Sequence, residues 1–151
     1  MAKVIRIVVH CTGEPAEGLR SREYYRHLFF DVYGWKHFGY HVVVHRNGTW
    51  EILQPLPVPL ASGAVINNNT MANGAFGYNH DSLHIAYEGG LQPITCKPMD
   101  TRTPAQRETL RVLISTWKIK YNISEVVGHR DLPNVKKDCP CFDAKKEYAD
   151  A

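Results

Sequence analysis

What this chain lacks narrows the reading first. No stretch approaches 18 uncharged apolar residues, so no membrane span is expected. The opening segment MAKVIRIVVHCTG has Arg6 inside its apolar run and no small-residue cleavage site. It does not read as a secretory signal, and the expected place of synthesis is the cytoplasm. Four cysteines, at 11, 96, 139 and 141, are too few and too unevenly placed for the disulfide framework of a small secreted domain. Lys and Arg form no long run, the net charge is +3 and the pI is about 8.7, short of the basic stripe that marks a nucleic-acid binder. Neither an internal repeat nor a Pro/Gly/Ser-rich linker divides the 151 residues, so a single domain over 1–151 is expected. A chain of that length buries roughly 68–70% of its unfolded surface and folds without staples.

What is present reads as an α/β (α+β) domain. Residues 3 to 9 are mostly β-branched and predict a buried strand. Ser21 is placed to cap a helix through about Tyr33, with Tyr25, Leu28, Phe29 and Val32 on its apolar side. HVVVHRNGTWEIL, from His41 to Leu53, predicts a hairpin whose Asn47 and Gly48 tolerate the positive φ of a tight primed turn. Residues 54 to 80 are long, irregular and rich in Pro and Asn, which suggests a loop that shapes a cleft. A further strand follows in SLHIAYEGG, from Ser82 to Gly90. Thr103, Pro104, Ala105 and Gln106 then form a capping box for a helix with Leu110, Leu113, Ile114 and Trp117 on one face.

The densest chemistry lies in GHRDLPNVKKDCPCFD, from Gly128 to Asp143, where a histidine, a lysine and a cysteine fall within ten residues. His129, followed by Arg130 and Asp131 and bounded by glycine and proline, is poor core material. Zn²⁺ takes imidazole nitrogen and thiolate sulfur, and a catalytic zinc uses three protein ligands and leaves a fourth position for water. His10, at the end of the first strand, supplies a third candidate, giving the set His10, His129 and Cys139. The CxC arrangement lets only one of Cys139 and Cys141 face a shared ion, and spacing does not decide which.

Four ordered segments resemble the zinc-dependent N-acetylmuramoyl-L-alanine amidase family. They are VVHCTG around His10, GYHVVVHRNGTWE from Gly39, GYNHDSLHIAYEGG from Gly77, and GHRDLPNVKKDCPCFD from Gly128. The similarity is to its short phage endolysins, which are related to peptidoglycan recognition proteins. The resemblance implies a single mixed central sheet flanked by helices and one Zn²⁺ per chain. It also implies hydrolysis of the amide joining N-acetylmuramic acid to the first L-alanine of the peptidoglycan stem. Carried over by position, His10, His129 and Cys139 match the zinc ligands, with Cys139 taking the place left open against Cys141. Tyr40 and Lys137 match the catalytic pair. His41, Asn79 and His80 stand in motif positions as substrate contacts. Bacterial peptidoglycan is the expected partner and a monomer the expected state, acting on the cell wall if released.

Two positions depart from the family pattern. Ala86 occupies the place of the strand glutamate that some members use as general base, which sides the chain with the tyrosine-using enzymes. Glu88, two residues on, lies about 7 Å further along the strand. Gly74 stands where many members have a histidine, and the segment 61–76 is longer and richer in Asn than expected. A catalytically inactive peptidoglycan-binding module is disfavoured by the presence of Cys139, and an intracellular muropeptide-recycling amidase by the missing strand glutamate.

Overall fold

The computed structural model describes residues 2–16 and 19–150. Its elements in chain order are β1 (Ala2–Lys3), β2 (Arg6–Cys11), β3 (Glu14–Pro15), α1 (Arg22–Arg26), β4 (Val42–Val44), β5 (Trp50–Ile52), β6 (Val65–Ile66), β7 (Ser82–Tyr87), β8 (Gly90–Leu91), α2 (Pro104–Lys120), β9 (Glu125–Gly128) and α3 (Ala144–Glu147). The central sheet has the order β5-β4-β7-β2-β9. Its four inner pairings are parallel except for the β4–β5 hairpin, so the sheet is mixed, as expected. Every residue of β2, β4 and β7 is buried, the pattern of parallel strands covered on both faces.

Alternation along the strands sorts side chains to two layers. Ile7, Val9 and Cys11 of β2, Val42 and Val44 of β4, and Leu83, Ile85 and Tyr87 of β7 share one core with Leu110, Ile114 and Trp117 of α2. The opposite face carries Val8 and His10 of β2, Val43 of β4, and His84 and Ala86 of β7. Val127 of β9 joins that face, and over it lie Tyr25, Phe29, Phe38 and Leu53 at one end and Ala75 and Leu132 at the other. One face is thus given over to packing. The other holds the polar residues.

Local differences from expectation have physical causes. The first strand is interrupted at Val4 and Ile5, whose N–H groups donate to Ala64 and Asp81 rather than to the central sheet, and it then runs on to Cys11. The helix after Ser21 is α-helical only to Arg26 and continues as a π-helix over His27–Val32. The extra residue in that turn shifts the inward face by one, so Phe30 packs on Phe38 with ring centroids 5.0 Å apart and Val32 is exposed, not core. In the hairpin, His45 and Thr49 pair across a three-residue loop in which only Gly48 has positive φ, 87°. The capping box of α2 forms as read: Gln106 N–H donates to Thr103 Oγ1 and Thr103 N–H to Gln106 Oε1, both at 3.0 Å.

Candidate metal centre and active-site cleft

His10 is the next-to-last residue of β2 and His129 follows the end of its parallel neighbour, for Val9 of β2 lies in register with Gly128 of β9. That register sets the two imidazoles side by side, 4.7 Å between ring centroids. The third donor comes from the loop after His129. Arg130 N–H donates to the Cys139 carbonyl at 2.8 Å and Tyr87 Oη donates to the Pro140 carbonyl at 2.6 Å, which fixes the returning chain against the sheet. Donor atoms of His10, His129 and Cys139 all lie within 4.8 Å of one another. Cys141 is turned elsewhere, its thiol toward the Gly90 carbonyl at 3.4 Å, on a backbone with φ of 72°.

The electrostatics of this trio suit a metal. Burial holds the His10 imidazole well below its ordinary pKa, and the charges of His84, His129 and Lys137 add to that. Burial also lowers His129, to about 4, with Lys137 contributing. Both rings are therefore neutral at pH 7 and keep a lone pair. Cys139 Sγ accepts the Cys11 backbone N–H at 3.2 Å, which aims the sulfur at the end of β2. Two neutral imidazoles and one thiol, with no carboxylate among the three, form a donor set matched to Zn²⁺ rather than to Mg²⁺ or Ca²⁺.

The trio sits at the floor of a cleft of about 360 Å³, into which Tyr40 and Lys137 also face. The Tyr40 ring lies 5.3 Å from that of His10, and its hydroxyl is 3.4 Å from the Cys11 carbonyl. Desolvation, then the nearby Cys139 and Cys11, hold this phenol well above its ordinary pKa, so it is a proton donor at neutral pH. Lys137 is exposed on the loop and lines both this cleft and a wider recess of about 670 Å³ beside it. Trp35, Asn73, Gly74 and His129 form the shared wall.

The three residues expected to touch substrate are placed differently from one another. Asn79 lines the wider recess, although its Oδ1 also accepts the Ala75 N–H at 2.8 Å. His80 is exposed beside Asp81 and lines neither recess. His41 is fully buried, with Nε2 on the Thr70 carbonyl at 2.6 Å and Nδ1 accepting the His84 N–H at 3.0 Å. Its expected contact with substrate gives way to a structural role: both ring nitrogens are used within the protein. The long 54–80 segment divides similarly. Its residues 73–76, 78 and 79 line the clefts, whereas Leu56 packs on the main core and Gln54 ties Phe38 to Asn69.

Glu88 does not line the cleft. It is buried, takes hydrogen bonds from Tyr25 Oη and Arg20 N–H, and lies 3.0 Å from His45 Nδ1. The cleft is also lined by Glu14 and Tyr24, which no motif marks, and by Leu28 and Phe29, whose helical spacing reads as core. Strand parity places His84 on the face of His10 as well, which no local pattern in the sequence signals.

Comparison with known proteins agrees with this geometry. The family model described as N-acetylmuramoyl-L-alanine amidase matches residues 1–142. The endolysin of Enterobacteria phage T3 is 32% identical over 141 residues, covering 93% of this chain and 82% of its own length. The endolysin of Escherichia phage T7 is 30% identical with the same coverage. Among solved structures, the N-acetylmuramoyl-L-alanine amidase LysC from Clostridium intestinale superposes with a TM-score of 0.70 at 23% identity, over 97% of this chain and 83% of that one. Drosophila PGRP-LB does so at 0.67 and 16% identity, over 99% and 82%. With a family model spanning nearly the whole chain and curated relatives aligned over most of theirs, the chain belongs to the N-acetylmuramoyl-L-alanine amidase family.

Proposed function

We propose that this chain hydrolyses the amide between N-acetylmuramic acid and L-alanine in bacterial peptidoglycan, as a phage-type lysis enzyme acting on the cell wall after release. The observation that carries the reading is the convergence of two neutral imidazoles and a thiol on the floor of a cleft that also receives a phenol and an ammonium. His10, His129 and Cys139 would hold one Zn²⁺. When bound, zinc supplies Lewis acidity, which polarises a carbonyl and lowers the pKa of water toward about 7.

The remaining work belongs to the chain's own side chains. Lys137 carries a fixed positive charge on a loop at the cleft mouth and can follow a substrate carbonyl as negative charge develops on its oxygen. Tyr40 is held protonated by desolvation, and its hydroxyl has only a long contact to the Cys11 carbonyl. It is therefore available to hydrogen-bond the attacking water or the tetrahedral oxygen, and one donor in this place must hand a proton to the leaving amine. Ala86, fully buried in register with His10, supplies no carboxylate at that strand position, and Tyr40 and Lys137 are the proton-bearing groups that share the cleft with the trio.

Purified protein is expected to carry about one zinc per chain. Its activity on isolated cell walls should disappear on chelation and return with added zinc. Activity indifferent to chelator would contradict this assignment.

A further inference from the structure

His84 is fully buried on β7 and shares the sheet face of His10, since Val8 pairs with His84 and His10 with Ala86 across parallel strands. Its Nδ1 lies 2.8 Å from His10 Nε2. One nitrogen of His10 is therefore engaged, and the other, Nδ1, faces Cys139 Sγ at 3.8 Å. The direction of the bond follows from the use of His10 as a ligand. A neutral imidazole that offers Nδ1 to a metal carries its proton on Nε2 and donates it, so His84 Nδ1 is the acceptor.

His84 is itself firmly seated. Its backbone N–H donates to His41 Nδ1 at 3.0 Å and its carbonyl accepts the His41 N–H at 2.9 Å. His41 is anchored in turn through Nε2 to the Thr70 carbonyl. The two rings are parallel, 6.0 Å between centroids. From the cleft side, the Gly74 backbone closes over the His84 ring. A Cβ at position 74 would fall 2.3 Å from His84 Nδ1, a distance no real contact tolerates, so the ring and a side chain at 74 exclude each other.

We propose that His84 is a positioning residue for the metal centre: by accepting the His10 Nε2–H it fixes the tautomer and ring orientation that leave His10 Nδ1 free for zinc, and Gly74 makes room for it. The inference rests on the metal reading above. A ligand histidine bonded through its second nitrogen is a better-oriented and more basic ligand, and loss of such a partner typically costs 10–100-fold in metal affinity. His41 supports the arrangement one step further out, holding the strand and not the metal.

The test is zinc affinity, measured by chelator competition on the full chain, with circular dichroism to establish folding. His84→Ala is expected to bind zinc about 10–100-fold more weakly. His84→Asn, which places an amide oxygen where Nδ1 stood, is expected to recover most of that loss. Equal affinity of His84→Ala and wild type, or an Asn variant as weak as the Ala one with a native spectrum, would overturn the proposal. If His84→Ala does not fold, Gly74→Ala carries the test, because its Cβ displaces the ring while leaving both imidazoles in the chain. Weaker zinc binding in that variant supports the proposal and unchanged binding overturns it. A wild-type chain that takes up no zinc overturns this and the metal reading together, whereas a zinc-binding wild type indifferent to His84→Ala overturns this one alone.

Discussion

At the scale of single residues, the choice between Cys139 and Cys141 is made by backbone direction. The two thiols are two positions apart, but Cys139 points at His10 and accepts the Cys11 N–H, while Cys141, with φ of 72°, turns to the Gly90 carbonyl. Cys139→Ser is therefore expected to lose zinc, and Cys141→Ser to keep about one per chain, by metal analysis of the purified variants. Loss from Cys141→Ser alone would reverse the assignment. Composition could not separate the pair, whereas the order of motifs could. His41 shows the limit of motif position: it stands in the GYH segment, yet Thr70 and the backbone of His84 take up both its ring nitrogens, and only knowledge of which segments neighbour it would have revealed that. His84 was hidden for the same reason, since its partner His10 is 74 residues away in sequence.

Elements were legible where local chemistry decides them. Thr103, Pro104 and Gln106 announce the start of α2, and each bond of that box is made. Gln106 does more than cap: fully buried, it donates to the Val44 and Glu88 carbonyls and so ties the helix to the ends of two central strands. Thr103→Ala removes the cap acceptor and is expected to cost about 1 kcal/mol, lowering the thermal midpoint by roughly 2–4 °C in a chain of this size, as read by calorimetry. An unchanged midpoint would mean that the box does not hold the helix. The helix after Ser21 is less legible because a period of 3.6 residues per turn does not hold over its whole length. The π-turn from His27 inserts one residue, and that moves Val32 to solvent and leaves Leu28 and Phe29 to wall the cleft. Similarly, the 54–80 segment has no period to read; its division into packing and cleft-lining parts follows from tertiary contacts alone.

For the whole molecule, the sheet separates stability from chemistry, with α2 on one face and the cleft on the other. A second tie closes the structure at its C-terminal end. Arg102, whose side chain is 1% exposed, bonds Asp100 at 3.0 Å and Glu147 at 2.6 Å, with its guanidinium over the Phe142 ring. This joins the segment before α2 to α3. Burial pushes the Asp100 carboxyl up, but hydrogen bonds and charge from Arg102, with Arg107, outweigh it and hold the group below its ordinary value. The hydrogen bond from Arg102 likewise lowers Glu147. A carboxyl depressed in the folded state contributes stability that is fully present above its unfolded pKa, about 4, and is lost as pH falls through the folded value. The zinc-free protein should therefore lose stability progressively below about pH 4, and Asp100→Asn should show a shallower decline over the same range in urea titrations. Parallel declines for the two proteins would remove this cluster from the account of acid stability.

The proposed activity places cleavage of the amide between sugar and peptide in the cleft lined by His10, His129, Cys139, Tyr40 and Lys137. The most direct measurement is an end-group assay on purified cell walls incubated with the zinc-loaded chain. Free L-alanine amino termini should accumulate without new reducing sugar ends. New reducing ends in place of amino termini would contradict the claim.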